Sequence, residues 1–289
     1  MARPSVSVIV PYAGSGAGLQ ELQNALQRLE TGPGDEVIVA DNRVGSHNGQ
    51  LSGIEVIAAA SIPTPAFARN AAAKRARGEW LVFIDADTVP SPGLLDRYFE
   101  PMPEPGTAVL AGAIRDVAPV PTLTARHVVA RAQMSQRTTL DRARPYAQTA
   151  NCAVRRTAFE QIGGFFTAAR AGEDADLCFR LQDAGWSLEE RPEAMVEHRS
   201  RTRPRQLLRQ LVLHGSGAAW VNGRFPGSFP RSGVTRRVLR SGREAVTAGV
   251  RGEREAALFA LLDIAGACAF ELGRLRSNLR SRLPAAKAG

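Results

Sequence analysis

Lysine is nearly missing from this chain of 289 residues: among its 37 basic side chains only Lys74 and Lys287 are lysine, and the rest are arginine. Cysteine is scarce as well. Cys152, Cys178 and Cys268 are isolated, odd in number and form no C-x-x-C pair, which argues against a disulfide framework or a structural zinc site and suits a reducing cytosol. No uncharged apolar run reaches the ~18 residues of a membrane-spanning helix; the nearest, 256–270, is interrupted by Asp263. The first apolar run stops at Pro11, too short for the core of a secretory signal. Aromatics make up only 6% of the chain and are not regularly interleaved with the C-terminal arginines, so stacking on nucleic acid is not expected. These shortages predict a cytoplasmic protein, or one peripheral at the inner face of the cell membrane.

What is present is ample apolar content, 44%, and a lopsided charge. Residues 199–289 hold 18 Lys/Arg against five Asp/Glu, while the preceding part is mildly acidic. Such asymmetry points to an anionic partner for the tail. Residues 200–225 mix Arg with Leu207, Leu208, Leu211 and Trp220, a composition suited to an anionic membrane surface. The bland alternative is a set of helices that pack on the rest of the chain and carry a solvated arginine face.

The stretch 78–90, GEWLVFIDADTVP, organises the remainder. Its five apolar residues read as a strand buried on both faces, with Asp85 and Asp87 at the carboxyl end, where open α/β sheets place ligands. Carboxylates two apart on a strand point the same way. They read either as holders of Mg2+ or Mn2+ with substrate phosphate completing the shell, or as a strand-end turn facing water. Upstream, 5–10 (SVSVIV) is a strand ended by Pro11, and the loop YAGSGAG leads into a helix over 19–29. Its glycines do not make G-x-G-x-x-G. A second strand, 36–40, ends at Asp41, which reads as a ribose or base contact or as an Asx turn. A third covers 54–58. A helix over 65–77 starts at a proline and stops at Gly78, with Arg69 and Asn70 in its first turns where phosphate or a base carbonyl would be favoured. Residues 108–113 give a fifth strand, and 121–140 look helical.

A second cluster follows. Residues 147–154 read as a strand and 159–166 as a helix end closed by Gly163-Gly164. The helix opening at GEDAD places Glu173, Asp174 and Asp176 in its first turn. Those acids either complement the helix dipole or include a general base. Residues 194–198 form a short strand ending at His198, a lone histidine that reads as structural or as a ligand.

In order and spacing, VSVIVPY, EVIVADN, ARNAAAKRARGEWLVFIDAD, IGGFF, GEDADLCFRLQDAG and VEH resemble glycosyltransferase family 2, over roughly residues 5–200. The resemblance implies a GT-A fold: α/β, Rossmann-like, with a mostly parallel sheet. It implies a catalytic domain over 1–200, its nucleotide-sugar half about 1–115 and acceptor half about 116–200, followed by a basic, amphipathic helical extension over 201–289. It further implies an inverting, metal-dependent transfer from a UDP-, GDP- or TDP-sugar to a glycan or lipid-linked acceptor, in glycan, glycolipid or cell-envelope biosynthesis. Pro11 and Tyr12 would line the nucleotide pocket, Asp41 would bond the base, and Arg69 would reach the nucleotide or its phosphates. Asp85 would contact the ribose or the metal shell, and Asp87 would ligate Mg2+ or Mn2+. Asp174 matches the general base, Glu173 a contact to acceptor or donor sugar, and His198 a third metal or diphosphate contact. The chain departs from the family at YAGSGAG, where Tyr-Asn is common, and at Asp41-Asn42-Arg43, where Asp-Asp/Asn-Gly-Ser is usual. A sugar-nucleotide nucleotidyltransferase, or a non-catalytic binding protein, is the rival reading.

Overall fold

The computed structural model describes residues 3–231 and 233–279; the end of the expected extension, 280–289 with Lys287, lies outside the described residues. The chain opens with β1 (Val6–Tyr12), α1 (Gly16–Leu26), β2 (Glu36–Asp41), β3 (Gly49–Leu51) and β4 (Ile54–Ala58). Then come α2 (Pro65–Ala73), β5 (Trp80–Ile84), β6 (Thr88–Pro90), α3 (Leu94–Arg97) and β7 (Thr107–Val117). The second part holds α4 (Leu123–Arg131), α5 (Arg137–Leu140), β8 (Asn151–Arg155), α6 (Arg156–Gln161), α7 (Glu173–Asp183) and β9 (Ser187–Arg199). Three long helices end it: α8 (Pro204–Arg224), α9 (Val234–Val250) and α10 (Arg254–Arg274).

The strands form one sheet in the order β3-β4-β2-β1-β5-β8-β7-β9-β6. From β4 to β5 every pairing is parallel, as the strand and helix alternation predicts, whereas β8 enters antiparallel to both β5 and β7. The sheet is therefore mixed: the block from β4 to β5 is parallel, and beyond the antiparallel β8 only the β7–β9 pairing is parallel again. Side chains alternate across it with period two: Val8, Val10, Val82 and Ile84 pack on one side with Leu22, Leu26 and Leu95, and Ile9, Leu81 and Phe83 pack on the other with Ala68, Ala72 and Leu177. Helices cover both faces, so β5 is buried throughout.

Several boundaries moved for identifiable reasons. β1 runs through Pro11 to Tyr12, because its pairing with β5 stops at Ile9 and no partner there needs the N–H that proline lacks. α1 starts at Gly16, capped by the Ser15 side chain, which accepts from the Gly18 amide at 3.2 Å. β7 and β9 exceed their expected lengths because they pair with each other in parallel from Thr107 to Val117. Gly112 sits where β7, β8 and β9 converge. A Cβ there would lie 2.3 Å from Asn151 Nδ2 and 2.6 Å from both Ala194 O and Tyr98 Oη. Asn151 is the hub of that crossing, accepting from Tyr98 Oη at 2.7 Å and donating to the carbonyls of Ala113 and Ala194 at 2.8 Å. Gly112→Ala should therefore cost about 1–3 kcal/mol of overpacking, read as a lowered midpoint in urea with an unchanged slope.

Helices α8 and α10 approach backbone to backbone. A Cβ on Gly215 would stand 1.9 Å from Phe270 O, and one on Gly273 would stand 2.0 Å from Val212 O. On its other side α8 meets the loop before α7, where a Cβ on Gly217 would lie 2.9 Å from the Ala171 backbone. The C-terminal helices are thus fastened to the segment that carries Glu173 and Asp174.

Candidate active site

A cleft of about 1030 Å³ opens at the carboxyl ends of β1 and β5. Parallel register brings Tyr12 beside Asp41 there, and α2, α7 and α8 supply the other walls. Of the expected residues, Pro11, Tyr12, Arg69, Asp85, Asp87, Glu173 and Asp174 line the cleft, while Asp41 and His198 stand behind its wall.

The glycine-rich loop has a local purpose. Tyr12 Oη donates to the Ser15 carbonyl, and a Cβ on Gly14 or Gly18 would lie 2.6 Å from that same oxygen. The glycines make room for the Tyr12 ring. Asp41 is buried and gripped by Arg43, whose Nε and Nη2 donate to it at 2.9 and 2.6 Å. Burial alone would raise the Asp41 pKa, and the Arg43 hydrogen bonds outweigh it and hold the carboxyl below its ordinary value. Arg43 also covers the Tyr12 ring at 5.3 Å. Asn70 spends its side chain on the backbone of Phe165, donating at 2.8 Å and accepting at 2.9 Å.

Asp85 and Asp87 do not act as a pair. β5 ends at Ile84, and the chain turns at once, with Thr88 donating from both its amide and its hydroxyl to the Asp85 carbonyl. Each carboxylate then meets its own cation. Asp85 accepts from Arg69 Nη2 at 2.6 Å, and Asp87 lies 3.0 Å from Arg201 Nη2 and 3.7 Å from His198 Nε2. Arg69 is only 3% exposed and also donates to Glu173 at 3.0 Å, so one guanidinium ties the end of β5 to the start of α7. Its Nε is buried without a partner among the described residues.

His198 is held through Nδ1 by Asp116 at 2.8 Å. Burial disfavours the imidazolium, but the hydrogen bond to Asp116 and the nearby Asp87 charge prevail and raise its pKa to about 9. Among the described residues no three His, Cys, Asp or Glu side chains converge as a ready-made metal cage. Asp85, Asp87 and His198 therefore do not meet as a protein-only ligand set. A carboxylate at the cleft wall with an imidazole behind it still fits Mg2+ or Mn2+, because these ions keep water and take much of their shell from substrate phosphate.

Asp174 differs from its neighbours. It is half-buried, makes no ion pair among the described residues, and accepts one hydrogen bond, from the Ala175 amide at 2.8 Å. Burial and the adjacent Glu173 charge raise its pKa to about 7, the range suited to a general base. Asp176, the third acid of that turn, is fully buried between Arg180 Nε at 2.8 Å and Arg224 Nε at 2.7 Å, an anchor of α8 on α7. Reading the sequence missed Arg201. It had been counted only as tail charge, although it follows His198 by three positions and so emerges at the same strand end.

The sequence profile described as "Glycosyl transferase family 2" matches residues 7–163, more than half of the chain. The chain belongs to glycosyl transferase family 2. A pre-mycofactocin glycosyltransferase of Mycobacterium tuberculosis is 29% identical over 230 residues, covering 76% of this chain and 48% of its own length. The glycosyltransferase AglE of Haloferax volcanii is 28% identical over 197 residues, 64% of each chain. The chain therefore spans about half the length of the mycobacterial relative. In three dimensions it is similar to the mannosyltransferase PcManGT of Pyrobaculum calidifontis, solved with GDP-Man and Mn2+ (TM-score 0.62, 18% identity, 92% of this chain and 87% of that one). The GT-A architecture of this family 2 chain is thus shown, with three helices at its C-terminal end.

Proposed function

We propose that this family 2 enzyme moves a sugar from a nucleotide-diphosphate donor to an acceptor hydroxyl with inversion at the anomeric carbon. One observation carries the reading: a single large cleft joins the Asp87 carboxylate after β5 to Asp174, a carboxylate with no ion pair among the described residues and a pKa near neutrality. Residues 1–200 would carry donor and catalytic groups, and the helices beyond would complete the acceptor side. Tyr12 and Pro11 would flank the nucleotide, and Asp41 would act through Arg43, whose guanidinium it orients.

Asp87, with His198 behind it, would hold Mg2+ or Mn2+, and Asp85 would face the same diphosphate. Such an ion supplies Lewis-acid neutralisation of charge on the leaving nucleoside diphosphate. Arg201 already faces Asp87 and can turn to a phosphate oxygen when donor enters. Asp174 takes the proton of the acceptor hydroxyl as its oxygen attacks the anomeric carbon. The bond from that carbon to the diphosphate breaks, and one base with no covalent intermediate leaves the product inverted. The three free cysteines support a reducing, cytoplasmic setting. The nucleotidyltransferase reading loses ground because the glycine-rich loop is filled by Tyr12.

Thermal shift tests donor recognition. UDP-, GDP- and TDP-sugars are added with Mn2+ or Mg2+, beginning with GDP-mannose and Mn2+ because the Pyrobaculum enzyme holds that pair. One donor should stabilise the protein only with metal, and Asp87→Ala should abolish the response. No response to any donor would count against the reading.

A further inference from the structure

Helix α10 leaves a stripe of apolar side chains uncovered. By length and composition it could cross a membrane, yet only 17% of that stretch is buried. Leu258, Leu261, Leu272 and, just past the helix end, Leu275 are 44%, 53%, 47% and 75% exposed. Between them Cys268 is exposed and Ala265 half-buried. Positions 258, 261, 265, 268, 272 and 275 step by three and four in turn, the spacing of a seam that packs on another helix. The rest of α10 is occupied. Asp263 meets His127 Nε2 at 2.8 Å and Arg131 Nη2 at 2.6 Å on α4, and Gly273 packs against Val212 of α8. So fastened, α10 cannot enter a bilayer without breaking those contacts, and it presents the stripe as a rigid face.

The stripe is self-complementary when a second copy lies antiparallel to it. Around a two-fold axis midway between Ala265 and Cys268, Leu258 faces Leu275, Leu261 faces Leu272, and Ala265 faces Cys268. The small residues fall at the centre, where two helices approach most closely, and leucine layers close both ends. On the flank the same register sets Glu255 against Arg276, twice by symmetry. Arg276 carries no ion pair among the described residues, and Glu255 meets Arg126 at 2.6 Å on the open surface. A bilayer surface fits less well. The positions bordering the stripe, 255, 262, 264, 269, 271 and 276, hold one Arg, two Glu and no Lys, so anionic headgroups find no basic rim there. The arginines of α9, Arg236, Arg240, Arg243 and Arg251, line a groove that contains no residue of the stripe.

We infer that α10 is the interface of a two-fold dimer, in which a second copy of this chain covers the stripe antiparallel, with the axis between Ala265 and Cys268. No residue of the stripe lines the active-site cleft, so the dimer stands or falls apart from the glycosyl-transfer reading.

The test is sedimentation equilibrium of the full chain over a range of micromolar concentrations, which should reach twice the mass of one chain. Leu261→Glu with Leu272→Glu sets like charges where the leucines meet. It should raise the dimer dissociation constant at least about a hundredfold, with the far-ultraviolet circular dichroism unchanged. A charge swap keeps the test decisive if that variant misfolds. Glu255→Arg and Arg276→Glu should each weaken the dimer about two- to tenfold, and the two together should restore it to within about twofold of wild type. Cys268, the one exposed cysteine of the three, reports the register: a short bis-maleimide should join two copies of the wild type and none of Cys268→Ala. A monomer at every concentration, a dimer indifferent to these substitutions, or a dimer whose Cys268 stays unlinked overturns the proposal. So does a monomeric chain whose leucines instead bind anionic vesicles, which would assign the stripe to a bilayer.

Discussion

Asp174→Asn is expected to lower turnover by roughly 10²–10⁴-fold, the usual loss when a positioned base is removed, while donor affinity stays within about twofold. The substitution keeps shape and removes only the ability to take a proton. The pH profile sharpens the test. With its pKa raised to about 7 by burial and by Glu173, wild-type Asp174 is protonated and inactive as a base below that value. kcat/KM should climb about tenfold per pH unit up to about 7 and level off above it. Stability should move the opposite way. A carboxyl whose folded pKa lies above its ordinary 3.8 contributes stability that is fully present below that value and is lost as pH rises through about 7. At pH 8 Asp174→Asn should thus melt no lower than wild type. A residue kept for helix capping alone would give the reverse, full turnover and a lower melting temperature.

Arg69→Leu is the second large effect. Its guanidinium, 3% exposed, is shared between Asp85 and Glu173, and the Phe165 ring lies 5.7 Å away. Removing one member of a buried ionic cluster costs about 3–5 kcal/mol, because the remaining charges lose their partner. For a domain of this size that is roughly 10 °C in melting temperature. Activity should fall as well, since Asp85 and Glu173 would repel each other across the cleft floor. Arg69→Lys keeps the charge, but one ammonium cannot fork to two carboxylates, so an intermediate melting temperature is expected. An unchanged melting temperature in Arg69→Leu would show that the bridge contributes nothing to stability.

The sequence reading was strongest where the physics is local. β1, β2, β4 and β5 are dense in Val and Ile, and their burial on both faces leaves no alternation to misread, so they were located to within two residues. The start of α7 was legible because Gly172, at φ +81°, and three acids mark a helix N-terminus. Features set by partners far along the chain were not legible. Nothing near Arg69 announces that residues 16 and 104 positions away share its guanidinium. The two aspartates were expected to point together, but the turn after Ile84 gives each a different cation. The glycines of the first loop, which match no phosphate-binding fingerprint in sequence, find their reason only in the fold, where the Tyr12 ring lies against them. At Asp263, sequence shows only a charge breaking an apolar run, whereas the fold shows that charge met by α4.

The most direct measurement is release of nucleoside diphosphate from sugar donors, compared between wild type, Asp87→Ala and Asp174→Asn in the presence of Mn2+. Glycosyl transfer predicts that one donor yields nucleoside diphosphate and free or transferred sugar, with little release from Asp87→Ala and slow release from Asp174→Asn. Intact donors throughout, or donor consumed only when pyrophosphate is added and nucleoside triphosphate formed, would contradict it.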